Sequence, residues 1–232
     1  MICNNFRNPS LLAKMTSTLD SVSNGRFELG LGIGWDREEH HAYGMEFGSH
    51  EERCNRLREA VQIIKKLWTE ERSSFHGQFY SLNEAYCSPK PLQRPYPPIM
   101  IGGSSKRLLK LVAEHCDGCH MFPPPVKYSE KLLVLEEYCK RFERDYSAIT
   151  KTVGTSIADL IKTNRLPRGE TALSKEKNAS ATHGDENVES CVRNIRNWIK
   201  LGVTRFSIDF PEMPHTSSLE WFADQVMTQF KR

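Results

Sequence analysis

Residues 26–35 read RFELGLGIGW, in which Gly30, Gly32 and Gly34 recur at a spacing of two among apolar residues. In an extended chain that spacing puts all three glycines on one face, where something must approach the backbone closely. The dinucleotide fingerprint of doubly wound folds needs G-x-G-x-x-G at the turn between strand and helix, and this spacing does not supply it. The stretch is therefore predicted as a strand whose end abuts a planar ligand or tight packing. Before it, Leu11, Leu12, Met15, Leu19 and Val22 stand at helical spacing over residues 9–24, with Gly25 where a C-cap glycine belongs. After it comes a charged helix over residues 49–69, whose apolar stripe is Leu57, Ala60, Val61, Ile64, Leu67 and Trp68.

Further out, strand and helix keep alternating. FHGQFYSL (residues 75–82) reads as a hairpin around Gly77, and SPKPLQRPYPP (88–98) runs extended because proline disfavours helix at the residue before it. Residues 99–101 form a short apolar strand that stops at GGSS before a helix carrying Leu108, Leu109, Leu111 and Val112. The same reading gives a strand in CDGCHMF (116–122), a helix over 128–146 and a strand in TVGTSIADLI (152–161). It continues with a helix over 188–201, a strand in TRFSIDF (204–210) and a last helix over 218–230.

Five whole strands, each followed by a helix, and a stub at residues 1–3 give an α/β chain of the (β/α)8 TIM-barrel class. A βα unit takes roughly 30 residues, so two to three strands, about 60–90 residues, are expected to be missing upstream of Met1. The 232 residues are read as one barrel domain, with the polar stretch 162–189 as a loop or lid.

Composition removes several classes of function. The 32 basic and 29 acidic residues are interleaved, for a net charge of +3, which gives none of the one-sign field that nucleic-acid binding needs. There is no apolar run long enough to span a membrane. The opening MICNNFRNPSLLAK lacks the apolar core of a signal peptide, and the seven cysteines are irregularly spaced, so a cytoplasmic, thiol-reduced protein is expected.

Three motifs carry chemistry or mimic it. Asp36, Glu38 and Glu39 fall where a barrel strand delivers reacting groups, and equally where a first helical turn welcomes acids. IGGSS before a helix is either an anion cradle, with glycines admitting a phosphate to the backbone, or a plain turn capped by Ser104 or Ser105. CDGCH matches the c-type haem pattern and half a zinc site, but no second Cys or His pair stands at a suitable spacing, so two buried thiols and no metal are expected. His40 and His41 beside Glu38 and Glu39 do not make H-E-x-x-H.

Taken together, CNNFRNPSLLAKMTSTLDSVSNGRFELGLGIGW, YGMEF, LREAVQIIKKLW, FHGQFY, PPIMIGG, AEHCDG and, more weakly, GVTRFSIDF resemble the luciferase-like monooxygenases, with the closest likeness to the coenzyme F420-dependent branch. The resemblance implies a barrel that binds a deazaflavin (F420) or flavin (FMN) ring at the strand C-terminal ends and acts on a small organic substrate. On matching positions, Ile33 and Gly34 would border the ring, and Gly102, Gly103 and Ser104 would line it and reach toward the ribityl-phosphate side. Phe122 would end the next strand, and Cys3 and Asn4 would close the wall. Trp35 departs from the pattern, standing where some F420-dependent relatives carry a carboxylate used in catalysis, and the resemblance assigns no catalytic residue. Homo-oligomers are expected. The competing reading is a cofactor-free barrel remnant acting as a binding or scaffold subunit.

Overall fold

The computed structural model describes residues 1–122, 124–162, 185–211 and 214–230. In chain order its elements are β1 (Ile2–Cys3), α1 (Pro9–Val22), β2 (Leu29–Gly32), α2 (Arg37–Ala42), α3 (His50–Thr69), β3 (Ser73–His76), β4 (Ser81–Ala85) and β5 (Ile99–Gly102). There follow α4 (Lys106–His115), β6 (Gly118–Met121), α5 (Pro125–Arg141), β7 (Thr150–Ser156), α6 (Ile157–Ile161), α7 (Asp185–Lys200), β8 (Arg205–Asp209) and α8 (Ser217–Trp221). They fall into two compact units, Met1–His120 with Val134–Ile149, and Met121–Leu133 with Thr150–Arg232.

In the first unit β1, β2, β5 and β6 pair in parallel, in that order. Leu29, Leu31, Ile99 and Ile101 are all fully buried, and they alternate with Gly30, Gly32, Met100 and Gly102 on the opposite face. On α3, Leu57, Ala60, Val61, Ile64, Leu67 and Trp68 are buried as their helical spacing predicts. Trp68 Nε1 donates to the Ala13 carbonyl at 3.0 Å, which joins α3 to α1. Helix starts follow local chemistry: the side chains of Asn8, Asp36, Ser49 and Ser105 accept backbone N–H groups of the first turns of α1, α2, α3 and α4.

Two carboxylates tie the irregular segments down. Asp20, fully buried on α1, accepts Leu92 N at 2.7 Å, Gln93 N at 3.0 Å and Gln93 Nε2 at 2.7 Å, which pins the proline-rich connector. Glu59 on α3 accepts the backbone N–H groups of Gln78, Phe79 and Tyr80 at the tip of the β3–β4 hairpin. A side chain on Gly77 would strike the same carboxylate, with a Cβ 2.3 Å from Oε2.

On α1 the apolar spacing points the wrong way. Leu11, Met15, Leu19 and Val22 are exposed, whereas Thr16, Ser17 and Asp20 are buried with Leu12 and Ala13. The polar residues are buried because they are bonded there: Thr16 Oγ1 donates to Leu12 O at 2.6 Å and Ser17 Oγ lies 3.4 Å from Cys87 Sγ.

In the second unit β7 pairs in parallel with β8, Thr152 facing Arg205 through to Ser156 facing Asp209. Tyr128 and Trp198 meet edge to face at 5.1 Å. The strand expected over 152–161 stops at Ser156, whose side chain accepts Asp159 N at 3.1 Å and turns the rest into α6. The helix expected over 128–146 runs instead from Pro125 to Arg141; Glu143 at φ 53° then ends it without a glycine, and Asp145 caps a 3-10 turn over Tyr146–Ala148. The last helix is α only to Trp221, then π over Phe222–Val226 and 3-10 over Met227–Phe230. Of the stretch read as a loop or lid, residues 163–184 lie outside the described residues, and α7 already begins at Asp185.

Asp20→Ala strands three donors around a buried site, so a loss of about 3 kcal/mol is expected. At this chain length that is a fall of roughly 6–12 °C in Tm, with Asp20→Asn losing less. An unchanged melt for Asp20→Ala would contradict the role given to this carboxylate.

Candidate functional site

The four parallel strands of the first unit end on one level. Cys3 pairs with Gly32, Leu31 pairs with Ile101 so that Gly32 lies beside Gly102, and Gly102 pairs with His120. Two central positions of this row carry no side chain, so bare backbone faces whatever lies over the strand ends. A Cβ on Gly32 would find only the Gly102 carbonyl, at 3.9 Å. A Cβ on Gly102 would meet Met1 Cε at 3.0 Å, and one on Gly30 would meet Met1 Sδ at 2.4 Å. The approach expected at the glycine face is thus made at Gly30 by the flexible Met1 side chain, while Gly32 stays open.

Gly34 lies beyond β2, not within it, and takes a left-handed φ of 77°, so it is a turn residue and does not share the face of Gly30 and Gly32. A side chain there would collide with Cys3 Sγ at 2.7 Å and His40 Cε1 at 2.9 Å. Gly103 is a turn residue as well: φ is 116°, its N–H donates to His120 O at 2.9 Å, and a Cβ would press on Leu108 Cδ1 at 2.7 Å. The cap of α4 is Ser105, which accepts Leu108 N, and this leaves Ser104 half-buried in the turn before it.

Asn4 follows Cys3 and is buried; its Nδ2 donates to Tyr80 Oη at 3.4 Å, but its Oδ1 has no partner among the described residues. Beside Cys3, His40 is fully buried with Nδ1 2.7 Å from the Asp36 carbonyl. A carbonyl only accepts, so Nδ1 donates to it, and Nε2 faces Cys3 Sγ at 3.6 Å. Burial pushes the Cys3 thiol up, which keeps it protonated and able to donate. Ile33 and Gly34 both give their carbonyls to Arg53 Nη1, at 3.4 and 2.5 Å.

Phe122, expected to end the strand after Gly118, belongs to the second unit; it is largely exposed and its ring lies where a Cβ on Gly154 would be, 2.1 Å from Cε1. The acidic run forms the start of a helix: Asp36 caps α2, and Glu38 and Glu39 occupy its first turn. Cys116 and Cys119 are buried thiols, the first pushed up by desolvation. Among the described residues no three His, Cys, Asp or Glu are grouped to hold a metal ion, and no helix is long and apolar enough to cross a membrane.

Sequence reading missed His40, Arg53 and His120 at this level. In the sequence His40 stands only in a run that fails the metalloprotease pattern, and His120 only in one that mimics a haem or zinc motif. Arg53 sits among other charges on α3 and carries no local signal, since its partners are carbonyls about twenty residues away.

The chain is thus a parallel βα protein with bare backbone at the strand ends and, beside it, a buried Asn4 Oδ1 that has no partner among the described residues. The luciferase-like monooxygenase model matches residues 1–158, and the chain belongs to that family. It is 42% identical over 98 residues to the FMNH(2)-dependent dimethylsulfone monooxygenase of Pseudomonas putida, an alignment covering 42% of this chain and 27% of that protein. It is 35% identical over 111 residues to the pyrimidine monooxygenase RutA of Klebsiella pneumoniae, covering 47% of this chain and 30% of that one. The chain therefore spans less than a third of the length of these two relatives. Among solved structures it resembles an F420-dependent secondary alcohol dehydrogenase in complex with an F420-acetone adduct, with a TM-score of 0.76 at 19% identity over 98% of this chain and 77% of that one. The fold is thus that of the luciferase-like barrel, of which the described residues contribute four parallel strands in one unit and two in the other.

Burial holds the His120 imidazole below its ordinary value of 6.5, so the folded protein disfavours its protonation. Above 6.5 both folded and unfolded states are neutral and stability is full; as pH falls through that value the unfolded chain takes up the proton first, and stability drops toward the lower folded value. His115 is shifted the same way by its burial and adds to the effect. His120→Gln is expected to make the fall in Tm between about pH 7 and about pH 5 shallower. Parallel melts of the two proteins across that range check it, and an equally steep fall would remove His120 from the account.

Proposed function

We propose that the chain binds reduced FMN, or its deazaflavin counterpart F420, over the strand ends at Gly32 and Gly102, and serves an oxidoreductase that acts on a small organic substrate. The observation that carries this is the row Cys3–Gly32–Gly102–His120, open at Gly32. Backbone without side chains lets a flat ring lie against it, and the orphaned Asn4 Oδ1 offers an acceptor for a ring N–H. Ile33 and Gly34 would border the ring from the turn after β2, and Cys3 from β1. Gly103 and Ser104 lead into the amino end of α4, whose first turn has no acid and carries Lys106 and Arg107, which suits a phosphate.

The bound group would supply reducing equivalents, either to activate dioxygen for insertion of one atom into the substrate or as hydride; the protein's part is to orient the ring and keep water from it. Reduced FMN is favoured over F420, because the relative of higher identity is named for FMNH(2) and the F420 enzyme shares only the fold. The named monooxygenase relatives support an enzyme over a scaffold remnant. Seven free cysteines fit a reducing compartment such as the cytoplasm. The exposed stripe Leu11, Met15, Leu19 and Val22 on α1 supports self-association, which light scattering at micromolar concentration tests; a persistent monomer contradicts it.

Two glycine substitutions separate ligand approach from fold. Gly32→Val enters ordinary strand backbone with open space, so the melt should hardly move while FMN affinity falls at least about tenfold. Gly103→Val is strained at φ 116° and clashes with Leu108, so it should lower Tm. Fluorescence titration with FMN and F420 beside thermal melts checks both. Full affinity in Gly32→Val, or no saturable binding of either cofactor by the wild type, would overturn the assignment.

A further inference from the structure

The ladder of β2 ends at Gly32, so the next two residues, Ile33 and Gly34, are not held by strand pairing. They are held by side chains instead. Arg53, one turn into α3, donates Nη1 to both carbonyls, and donation from a charged group makes these bonds stronger than neutral ones. The guanidinium carbon lies 3.8 Å from the Phe47 ring centroid. Phe47 in turn meets His40 edge-on at 4.9 Å, and Phe6 lies 5.2 Å from the His40 ring. His40 is oriented by the Asp36 carbonyl and presents Nε2 to Cys3, and the Cys3 thiol and His40 ring fill the space where a Gly34 side chain would stand. The contacts close a circuit: Arg53 to Gly34, Gly34 to Cys3, Cys3 to His40, His40 to Phe47, and Phe47 back to Arg53.

We infer that Arg53 and His40 are positioning residues, which together clasp the Ile33–Gly34 turn against Cys3 and so set the wall that faces the cofactor. The inference rests on the reading that the strand ends hold a flavin or deazaflavin. Arg53 makes no ion pair with a carboxylate among the described residues, and its Nε is buried without an acceptor. A half-buried cation left so poorly paired is costly to keep in place unless its bonds to the two carbonyls matter. If it served only to join α3 to the strands, Phe47 stacking and the apolar face of α3 would already do so. The left-handed Gly34 cannot be replaced by a bulkier, self-supporting residue, because Cys3 and His40 occupy the space. A turn with no ladder and no side chain needs an external clasp to stay in one conformation.

Cys3 gives a readout that needs no cofactor, since it is the one cysteine of the seven that is not buried. Arg53→Met keeps a stem over Phe47 but loses the donors, and Arg53→Lys restores a charge with one fork fewer. His40→Gln removes the imidazole and keeps polar atoms. Alkylation of Cys3 by iodoacetamide, followed by mass spectrometry, and FMN affinity by fluorescence are measured on each variant with its thermal melt. Arg53→Met is expected to speed Cys3 alkylation about tenfold and weaken FMN binding about tenfold, with Arg53→Lys recovering part of both. His40→Gln should speed alkylation while Arg53 is intact. If alkylation is unchanged in the folded variants, the clasp does not exist. If it rises while FMN affinity equals that of the wild type, the clasp is structural and the inference fails. If the wild type binds neither FMN nor F420, it is the cofactor reading that fails, and alkylation alone still decides whether these two side chains hold the turn. Should Arg53→Met not fold, Arg53→Lys and His40→Gln carry the same comparison.

Discussion

Parallel pairing in one register is the constraint from which the site follows. It sets Cys3, Gly32, Gly102 and His120 side by side at the strand ends, and it requires each strand to show one face to the helices. Leucine and isoleucine satisfy that requirement on the helix-covered face, where burial of each such side chain contributes about 1.5–3 kcal/mol. On the other face Met100 is buried and Met1 packs on Gly30 and Gly102, while Gly32 is bare. Glycine in a strand interior weakens it by roughly 0.5–1 kcal/mol relative to alanine, so two neighbouring glycines at this level are a local loss that the buried face must offset. Such a loss is intelligible where a flat ligand needs the backbone.

Around that row, charged side chains fix the irregular segments of the first unit. Asp20 and Glu59 fasten the connector and the hairpin that strand pairing leaves loose, and each does so with a carboxylate accepting several N–H groups. Arg53 does the converse for the turn after β2, donating to carbonyls. The irregular backbone is thus fixed by charged side chains and the regular backbone by its own ladder, which is how buried polar main chain is satisfied without secondary structure.

Much of this was legible in the sequence, and what was legible was local. Apolar runs bounded by glycine and proline marked the strands, and helix starts were legible at residue 49 and at Ser104 or Ser105, of which Ser105 is the cap, because a cap bonds within its own turn. The luciferase-like pattern in residues 3–118 led to the family and placed Cys3, Asn4, Ile33, Gly34, Gly102, Gly103 and Ser104 near the strand ends. The reading failed where a partner is remote. The apolar spacing of α1 chose its exposed face, because Asp20 and Ser17 are buried by bonds to residues some seventy positions away. His40 and Arg53 were missed for the same reason. The glycine spacing extends the strand to Gly34 because spacing cannot show where a ladder stops, and α5 is followed by a left-handed Glu143, a position that composition gives no reason to expect.

The central claim is that bare backbone at Gly32 and Gly102 receives the cofactor ring. A crystal structure of the protein grown with FMN or F420 tests it most directly. The account predicts density for a tricyclic ring lying against Gly32 and Gly102, bordered by Ile33 and Gly34, with Met1 moved out of the space that a side chain on Gly102 would take. A ring bound anywhere else on the chain, with Gly32 still open, would contradict it.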